Sequence, residues 1–557
     1  MGRHWLKFYD PGVPHSYAYP EQTLPEMLDQ IARDHPDGPA TRFHGKQLSY
    51  RQLEEQVERF ASGLTQLGFQ PGERIAIMLP NLPQFPIAFF GALRAGLVVV
   101  PTNPLYRHRE LQHQLADSGS SVIVTLPVLM DTVAQSLDGT DVRMVLAADV
   151  ADALPWPKSL LYRLKSRSTR APKMPVQVKA WSRVLGNRGG SIVPGRPTDL
   201  AVLQYTGGTT GTSKGAMLTH RNLLANAIQV YTWQPDIRGE IKTLCVTPFF
   251  HVYGLTVGMN MTIWGHGLMI LVPRFEIDSV RRMIKSERPN LFPGVPTMYI
   301  ALESLAEVDS DEFSSLDICI SGAAPLPAAV QSDFPRVAPG ARLVEGYGLT
   351  EAGPVSHCNP CNGPRPGTVG LPLADTDCKI IDPESWDELP PGEAGEVALA
   401  GPQIMLGYWR RPDETARVIK DGWLRTGDMG FIDPDGFLHI VDRIKDMIIA
   451  GGYNIYPREI EEVLFHHPAV LEASVVGSQN DYRGETVKAF IVLRPGEAVN
   501  EEQIVAYCRE ELAAYKVPKV VEFVDELPKS LIGKVLRRKL RELDSDRNVI
   551  PEAEKVS

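Results

Sequence analysis

The chain has 557 residues, 43% of them hydrophobic, and its 57 Lys and Arg against 67 Asp and Glu give a formal net charge of −10. At ~150 residues per domain this length allows three or four domains with sizeable cores, which excludes disorder as the main state. The acidic balance excludes a dedicated nucleic-acid binder, because such proteins concentrate Lys and Arg against phosphates. Six cysteines are too few for a disulfide scaffold and fit a reducing, cytoplasmic compartment. The first residues, Met1 to Leu6, lead into a Pro- and Tyr-rich stretch without the apolar run of a secretory signal.

In chain order, Tyr50 to Leu67 has helical spacing, Arg74 to Leu79 reads as a strand, and Val122-Ile123-Val124 as another. Such alternation predicts βαβ units around a parallel sheet. It resumes after Leu200, with strands at Ala201 to Tyr205 and Leu316 to Ile320. Leu82 to Pro101 and Val252 to Val272 are apolar enough to suggest membrane spans. Each ends in a β-prone run, Leu97 to Val100 and Leu268 to Val272, so both read as a buried helix followed by a buried strand.

Residues 153–198 hold ten Lys or Arg and no Asp or Glu, so this insert is +10 and the rest of the chain −20. Trp156, Leu160, Leu161, Leu164, Met174 and Trp181 are interleaved with the cations. Two readings stand: an interfacial patch that attracts anionic lipid headgroups and inserts Trp and Leu, or a solvated insert broken by Pro155, Pro157, Pro172 and Pro175. Residues 378–441 are β-rich with tight turns. Residues 442–557 read as a small α+β unit, with Pro457 opening a helix, strands near 473–476, 487–493 and 520–524, a helix capped by Asn500 with Gln503, and a basic helix from about Val535.

The strongest chemical signal is Tyr205-Thr206-Gly207-Gly208-Thr209-Thr210-Gly211-Thr212-Ser213-Lys214-Gly215, after a predicted strand. Glycines let backbone N–H groups approach an anion, hydroxyls add donors and Lys214 adds positive charge, which together describe a polyphosphate cradle. The Walker spacing is not met, because Gly215 follows Lys214. Cys358-Asn359-Pro360-Cys361 lacks the paired second half that a zinc site wants, so neither metal nor redox chemistry is expected of it.

This loop, with Phe250-His251, Tyr347-Gly348-Leu349-Thr350-Glu351, Thr426-Gly427-Asp428, Asp442-Arg443-Ile444-Lys445-Asp446 and Pro528 to Lys534, resembles the adenylate-forming superfamily of acyl-CoA synthetases, adenylation domains and luciferases. The order and spacing match over nearly the whole chain. The run Asp421 to Asp428 and the basic insert are most similar to bacterial long-chain fatty-acid CoA ligases. The resemblance implies an α/β fold: a large N-terminal domain, 1–441, of layered α/β subdomains plus the β-rich one, and a small mobile α+β cap, 442–557.

It also implies the reaction: adenylation of a medium- to long-chain fatty acid by MgATP, then thioester formation with CoA. Lys534 matches the catalytic lysine, although locally it reads as the start of a solvated basic helix. Glu351 would hold Mg2+, with Thr206 as a second contact, and His251 would line or gate the acyl site. Tyr347 would stack on adenine, bordered by Gly322, Ala323 and Ala324 and by Glu345, Gly346, Gly348 and Thr350. Asp428 would accept from the ribose hydroxyls, and Arg443 would contact ribose or α-phosphate. Asp442 would be the hinge, and Gly451, Gly452, Tyr453 and Lys445 would meet CoA. Ile444 stands where many relatives carry a second lysine, which weakens the CoA nucleotide contacts expected of that segment. Two alternatives stay open: a ligase for another carboxylate or a carrier-protein acceptor, and a non-catalytic nucleotide-binding membrane adaptor. The expected partners are fatty acid, ATP and CoA, an anionic membrane surface through 153–198 and no nucleic acid; the oligomeric state stays open, a homodimer being one alternative.

Overall fold

Short apolar runs become strands and the amphipathic runs between them become covering helices. A computed structural model describes residues 3–166, 172–186, 189, 194–206, 213–234, 237, 239–305, 311–450, 453–480, 484–530 and 533–548. Among these residues there are four sheets. One has seven strands in the order 177–180, 144–147, 120–125, 74–78, 98–101, 200–205, 215–219. All its pairings are parallel except the last. A nine-stranded sheet is parallel through 268–271, 242–245, 291–294, 318–321 and 342–348, then antiparallel to 355–358. A five-stranded antiparallel sheet spans Asp377 to Arg443. The fourth sheet, also five-stranded, runs from Ile448 to Phe523 with its own core of Ile448, Ile460, Val475, Ala489 and Ile504.

Strands buried on both faces read as continuous apolar runs, as in Val98-Val99-Val100. The apolar segment after Leu82 is helix Gln84–Arg94, buried along its whole length, followed by strand Val98–Pro101. The segment after Val252 holds a π-helix, Gly254–Asn260, then helix Met261–Trp264 and strand Leu268–Leu271. Among the described residues no helix is long and apolar enough to cross a membrane.

The basic insert divides in two. Helix Lys158–Ser166 carries Leu160, Leu161 and Leu164 outward, and Trp156 just before it is 81% exposed. Strand Gln177–Ala180 joins the seven-stranded sheet, and helix Trp181–Leu185 packs on helix Tyr50–Gln66, with the Trp181 ring 4.9 Å from that of Phe60. The expectation that Trp181 and Met174 share the interfacial face is therefore corrected. Both face the protein interior, because the added strand carries the chain back over the sheet.

In open α/β sheets ligands bind beyond the carboxyl ends of parallel strands. Those ends here deliver Tyr205, the turn after Cys245, Gly322-Ala323-Ala324 and Gly346 to Thr350 to one cleft.

Candidate active site

Strands Leu200–Tyr205 and Gly215–Thr219 flank the candidate phosphate loop. Its neck is closed by a bond from Thr206 N–H to Lys214 O at 2.9 Å, and the Ser213 hydroxyl donates to Thr206 O at 2.7 Å. Gly207, Gly208, Thr209, Thr210, Gly211 and Thr212 lie outside the described residues.

Lys214 forms an ion pair with Glu414, and its ammonium lies 5.1 Å from the centre of the Tyr408 ring. The Tyr408 hydroxyl donates to Glu351 Oε1 at 2.7 Å. Glu351 sits in the single turn Thr350–Ala352 after strand Arg342–Gly348. That turn closes tightly enough that a Cβ on Gly348 would lie 1.9 Å from Pro354 O. Sequence reasoning missed Tyr408 and Glu414. The run Gly407-Tyr408-Trp409-Arg410-Arg411-Pro412 reads as an ordinary turn into a helix, and its aromatics before a proline were the available signal.

The nucleoside side is assembled from two sheets, the nine-stranded and the antiparallel five-stranded one, with Arg458 added from helix Pro457–Phe465. The Tyr347 hydroxyl donates to Asp428 Oδ2 at 2.7 Å, while Arg443 Nε meets Asp428 Oδ1 at 3.1 Å from the paired strand. Glu345 is buried, accepts from Leu326 N–H at 3.2 Å, and has Arg458 at 3.9 Å. Burial pushes its carboxyl up to about 7 against the pull of Arg458. Ala323 adopts a left-handed backbone (φ 67°), a conformation that costs a non-glycine residue about 1–2 kcal/mol.

His251 follows a turn held by Asn81, whose Nδ2 donates to Cys245 O (2.8 Å) and Thr247 O (3.0 Å) and whose Oδ1 accepts from Phe249 N–H (2.8 Å). The His251 imidazole is pushed down to about 4, first by burial and then by the positive charge of Lys534, so it is neutral at pH 7. Lys534 therefore reaches the cleft, and the reading of it as the start of a solvated helix is corrected: that helix begins at Arg537. The backbone around Lys534 is a tight turn: Lys529 pairs with Val535, and Ser530 N–H donates to Lys534 O at 2.8 Å. Burial, then Arg443, brings the Lys534 ammonium down to about 7, with Asp428 opposing. Lys445 is lowered by burial and then Arg443.

Asp442 is buried. It accepts from Arg443 N–H (2.7 Å), Arg458 N–H (2.9 Å) and Arg537 Nη1 (3.0 Å), while Arg537 Nη2 reaches Glu461 at 2.7 Å. Strands Ile448–Ala450 and Tyr453–Ile455 form a hairpin whose Gly451 and Gly452 lie outside the described residues. Cys358 and Cys361 are buried in the core beside Trp233 and Tyr253. The arrangement thus joins a cation at a phosphate-loop exit, a carboxylate beside a hydroxyl-rich neck, an acceptor pair for a diol and a second, partly desolvated lysine.

The family model for the AMP-binding enzyme matches residues 28–409, and that for its C-terminal domain matches 459–534. The chain belongs to the AMP-binding enzyme family. A long-chain-fatty-acid–CoA ligase of Bacillus subtilis is 44% identical over 98% of this chain and 99% of its own length. One of Escherichia coli O6:H1 is 42% identical over 97% and 98%. Among solved structures, ATP-bound MatB of Rhodopseudomonas palustris superposes with TM-score 0.82 at 31% identity, over 94% of this chain and 99% of that one.

Proposed function

We propose that the protein is an ATP-dependent long-chain fatty-acid CoA ligase that works through the cleft above. The near full-length identity to long-chain ligases supports the substrate class, and the arrival of Lys534 beside His251, Arg443 and Asp428 is the observation that carries the mechanism. In the first half-reaction the fatty carboxylate attacks the α-phosphate of ATP, forming an acyl adenylate and releasing pyrophosphate. In the second the CoA thiol attacks the acyl carbon and AMP leaves.

Charge collects on phosphate oxygens in the first step, so catalysis rests on fixed cations and donors. Lys214 and its loop hold the terminal phosphates and Lys534 neutralises charge at the α-phosphate. Asp428 keeps lone pairs for the ribose hydroxyls beyond the two it gives Tyr347 and Arg443. Tyr347, with its hydroxyl pinned, offers its ring face to adenine. The Glu351 carboxylate and Thr206 hydroxyl are hard oxygen donors, and these fit Mg2+. Glu351 and Thr206 would hold the ion, which would supply positive charge against the phosphate oxygens. Neutral His251 lines the route of the acyl carboxylate.

The second half-reaction uses Lys445, Gly451, Gly452 and Tyr453 after the 442–557 unit turns about Asp442. The Asp442 carboxylate binds residues that follow it in the chain and so travels with that unit. Lys534→Ala is expected to lower adenylate formation by at least ~100-fold yet still convert supplied acyl adenylate and CoA to thioester. Equal loss in both half-reactions would refute the two-position mechanism.

The exposed Trp156, Leu160, Leu161 and Leu164, with the cations of the insert, support a peripheral seat on an anionic membrane from which fatty acid is drawn. Binding to vesicles rich in anionic lipid should exceed binding to neutral ones and fall with salt. Equal binding to both at low salt would rule this seat out.

A further inference from the structure

The chain from Ile404 to Arg411 lies against the strand that leaves the phosphate loop. Leu406 N–H donates to Met217 O (2.9 Å), Met217 N–H to Gly407 O (2.9 Å) and Trp409 N–H to Gly215 O (2.8 Å), and Met405 N–H ties the same strap to Glu351 O (2.8 Å). Six residues past Tyr408, in the first turn of helix Pro412–Val418, comes Glu414. Arg411 Nη1 donates to it at 3.2 Å, and the other arm of Arg411 reaches Asp117 at 3.3 Å, which in turn accepts from the Tyr205 hydroxyl at 2.6 Å. Glu414 is thus anchored from both sides of the loop, and the Lys214 ammonium is its ion-pair partner. The Lys214 hydrogen bond keeps the Glu414 carboxyl below its ordinary range, so it is charged throughout the neutral region.

An ammonium that is to grip a polyphosphate is here already held by a carboxylate, and a polyphosphate brought beside that carboxylate is repelled by it. The pair is about one-third exposed on each side, so it is screened, and exposed pairs of this kind contribute only about 0.2–1 kcal/mol. The terminal phosphates of MgATP, which still carry net negative charge, can displace so weak a partner. We propose that Glu414 is the resident counter-ion of Lys214, holding the lysine at the loop exit and giving it up to the terminal phosphates of the incoming nucleotide. Glu414 is then a determinant of how much ATP is needed to fill the site and of how readily pyrophosphate leaves. This rests on reading the loop as the phosphate cradle, and it adds a competitor that the reading does not contain.

The test is steady-state kinetics of the full-length protein with Glu414→Gln, which keeps the hydrogen-bonding shape and removes the charge. The KM for ATP should fall by a factor of about 1.4 to five, the fold-change that the exposed-pair range converts to. Inhibition by added inorganic pyrophosphate should tighten by the same factor. The KM values for fatty acid and CoA should stay as they are, and both differences should shrink in high salt. Glu414→Asp, which keeps the charge, should keep the wild-type ATP dependence. An ATP KM that is unchanged or raised in Glu414→Gln, in protein whose thermal unfolding matches wild type, overturns the proposal. Lys214→Ala separates this from the underlying reading. If it raises the KM for ATP while Glu414→Gln does nothing, the cradle stands and the counter-ion role falls. If Lys214→Ala leaves the KM for ATP unmoved, the cradle reading itself has failed.

Discussion

Tyr408 serves two charges from one ring: its hydroxyl orients Glu351 and its face lies under Lys214. Tyr408→Phe keeps the ring and removes only the donor, so the Lys214 contact should survive while Glu351 loses its orientation. Groups that orient a metal ligand are typically worth 10- to 100-fold in metal affinity or activity. We expect the Mg2+ needed for half-maximal activity at fixed ATP to rise about ten-fold, and an unchanged Mg2+ titration would remove Tyr408 from this role. The contrast with Lys214 explains what the sequence reveals at this scale. Lys214 ends a run of glycines and hydroxyls too dense to be chance, whereas Tyr408 acquires meaning only by meeting a carboxylate 57 positions earlier in the chain.

At the scale of elements, Gly533 shows how a loop from one unit is fitted to a helix of another. Its φ is 70°, and a Cβ there would lie 2.3 Å from Thr297 Oγ1 and 3.0 Å from Val295 Cγ2, at the start of helix Pro296–Glu303. Gly533→Ala should hinder the docking that brings Lys534 into the cleft. Adenylate formation should fall on the order of ten-fold, roughly the cost of a left-handed alanine. Thioester formation from supplied adenylate should hold, and an equal fall in both steps would show that the glycine serves folding instead. Regular elements were readable where one periodicity dominates. The Asn500 box, with both its bonds at 2.9 Å, and the strands at 74–78 and 200–205 stand where apolar runs and caps place them. The π-helix at Gly254–Asn260 has no signature in a 3.6-residue pattern, because its wider turn is set by packing among buried neighbours. Strand Gln177–Ala180 was illegible for the opposite reason: it is mostly exposed, so no apolar face announces it. Lys534 was legible as a motif but not as a half-buried cation, since its partial burial depends on a docking surface far away in the chain.

At the scale of the whole molecule, docking of the small unit is coupled to protons of opposite sign. A cavity of about 190 Å³ lies between the two units, lined by Ile300, Glu303, Asp333 and Arg336 on one side and Phe465, Leu471 and Arg494 on the other. Burial, then Asp333, raises the Glu303 carboxyl to about 8, against Arg336 and Arg494. The part of that rise that comes from burial under the small unit makes docking take up a proton, so its favourable share is intact below the ordinary carboxyl range and is lost as pH rises through about 8. Lys534, lowered to about 7, makes docking release a proton, so its unfavourable share is full below 7 and is relieved as pH climbs towards the ordinary lysine range. The two oppose each other between pH 7 and 8. Glu303→Gln leaves Lys534 alone, and the docked fraction, read by fluorescence transfer between labels on the two units, should then rise from pH 7 to 9 more steeply than in wild type. Identical profiles would show that Glu303 does not titrate on docking. The strand Gln177–Ala180 has a further consequence for how this protein can be dissected. It pairs with Met144–Ala147 and caps one margin of the seven-stranded sheet, while Trp181 after it seals the neighbouring helix. Excising the basic insert would strip that margin bare and leave an unsatisfied strand open to pairing with another chain. A truncated protein would then sediment with vesicles, or without them, as aggregate. Lipid affinity is therefore best removed by point changes on helix Lys158–Ser166, leaving the border strand in place.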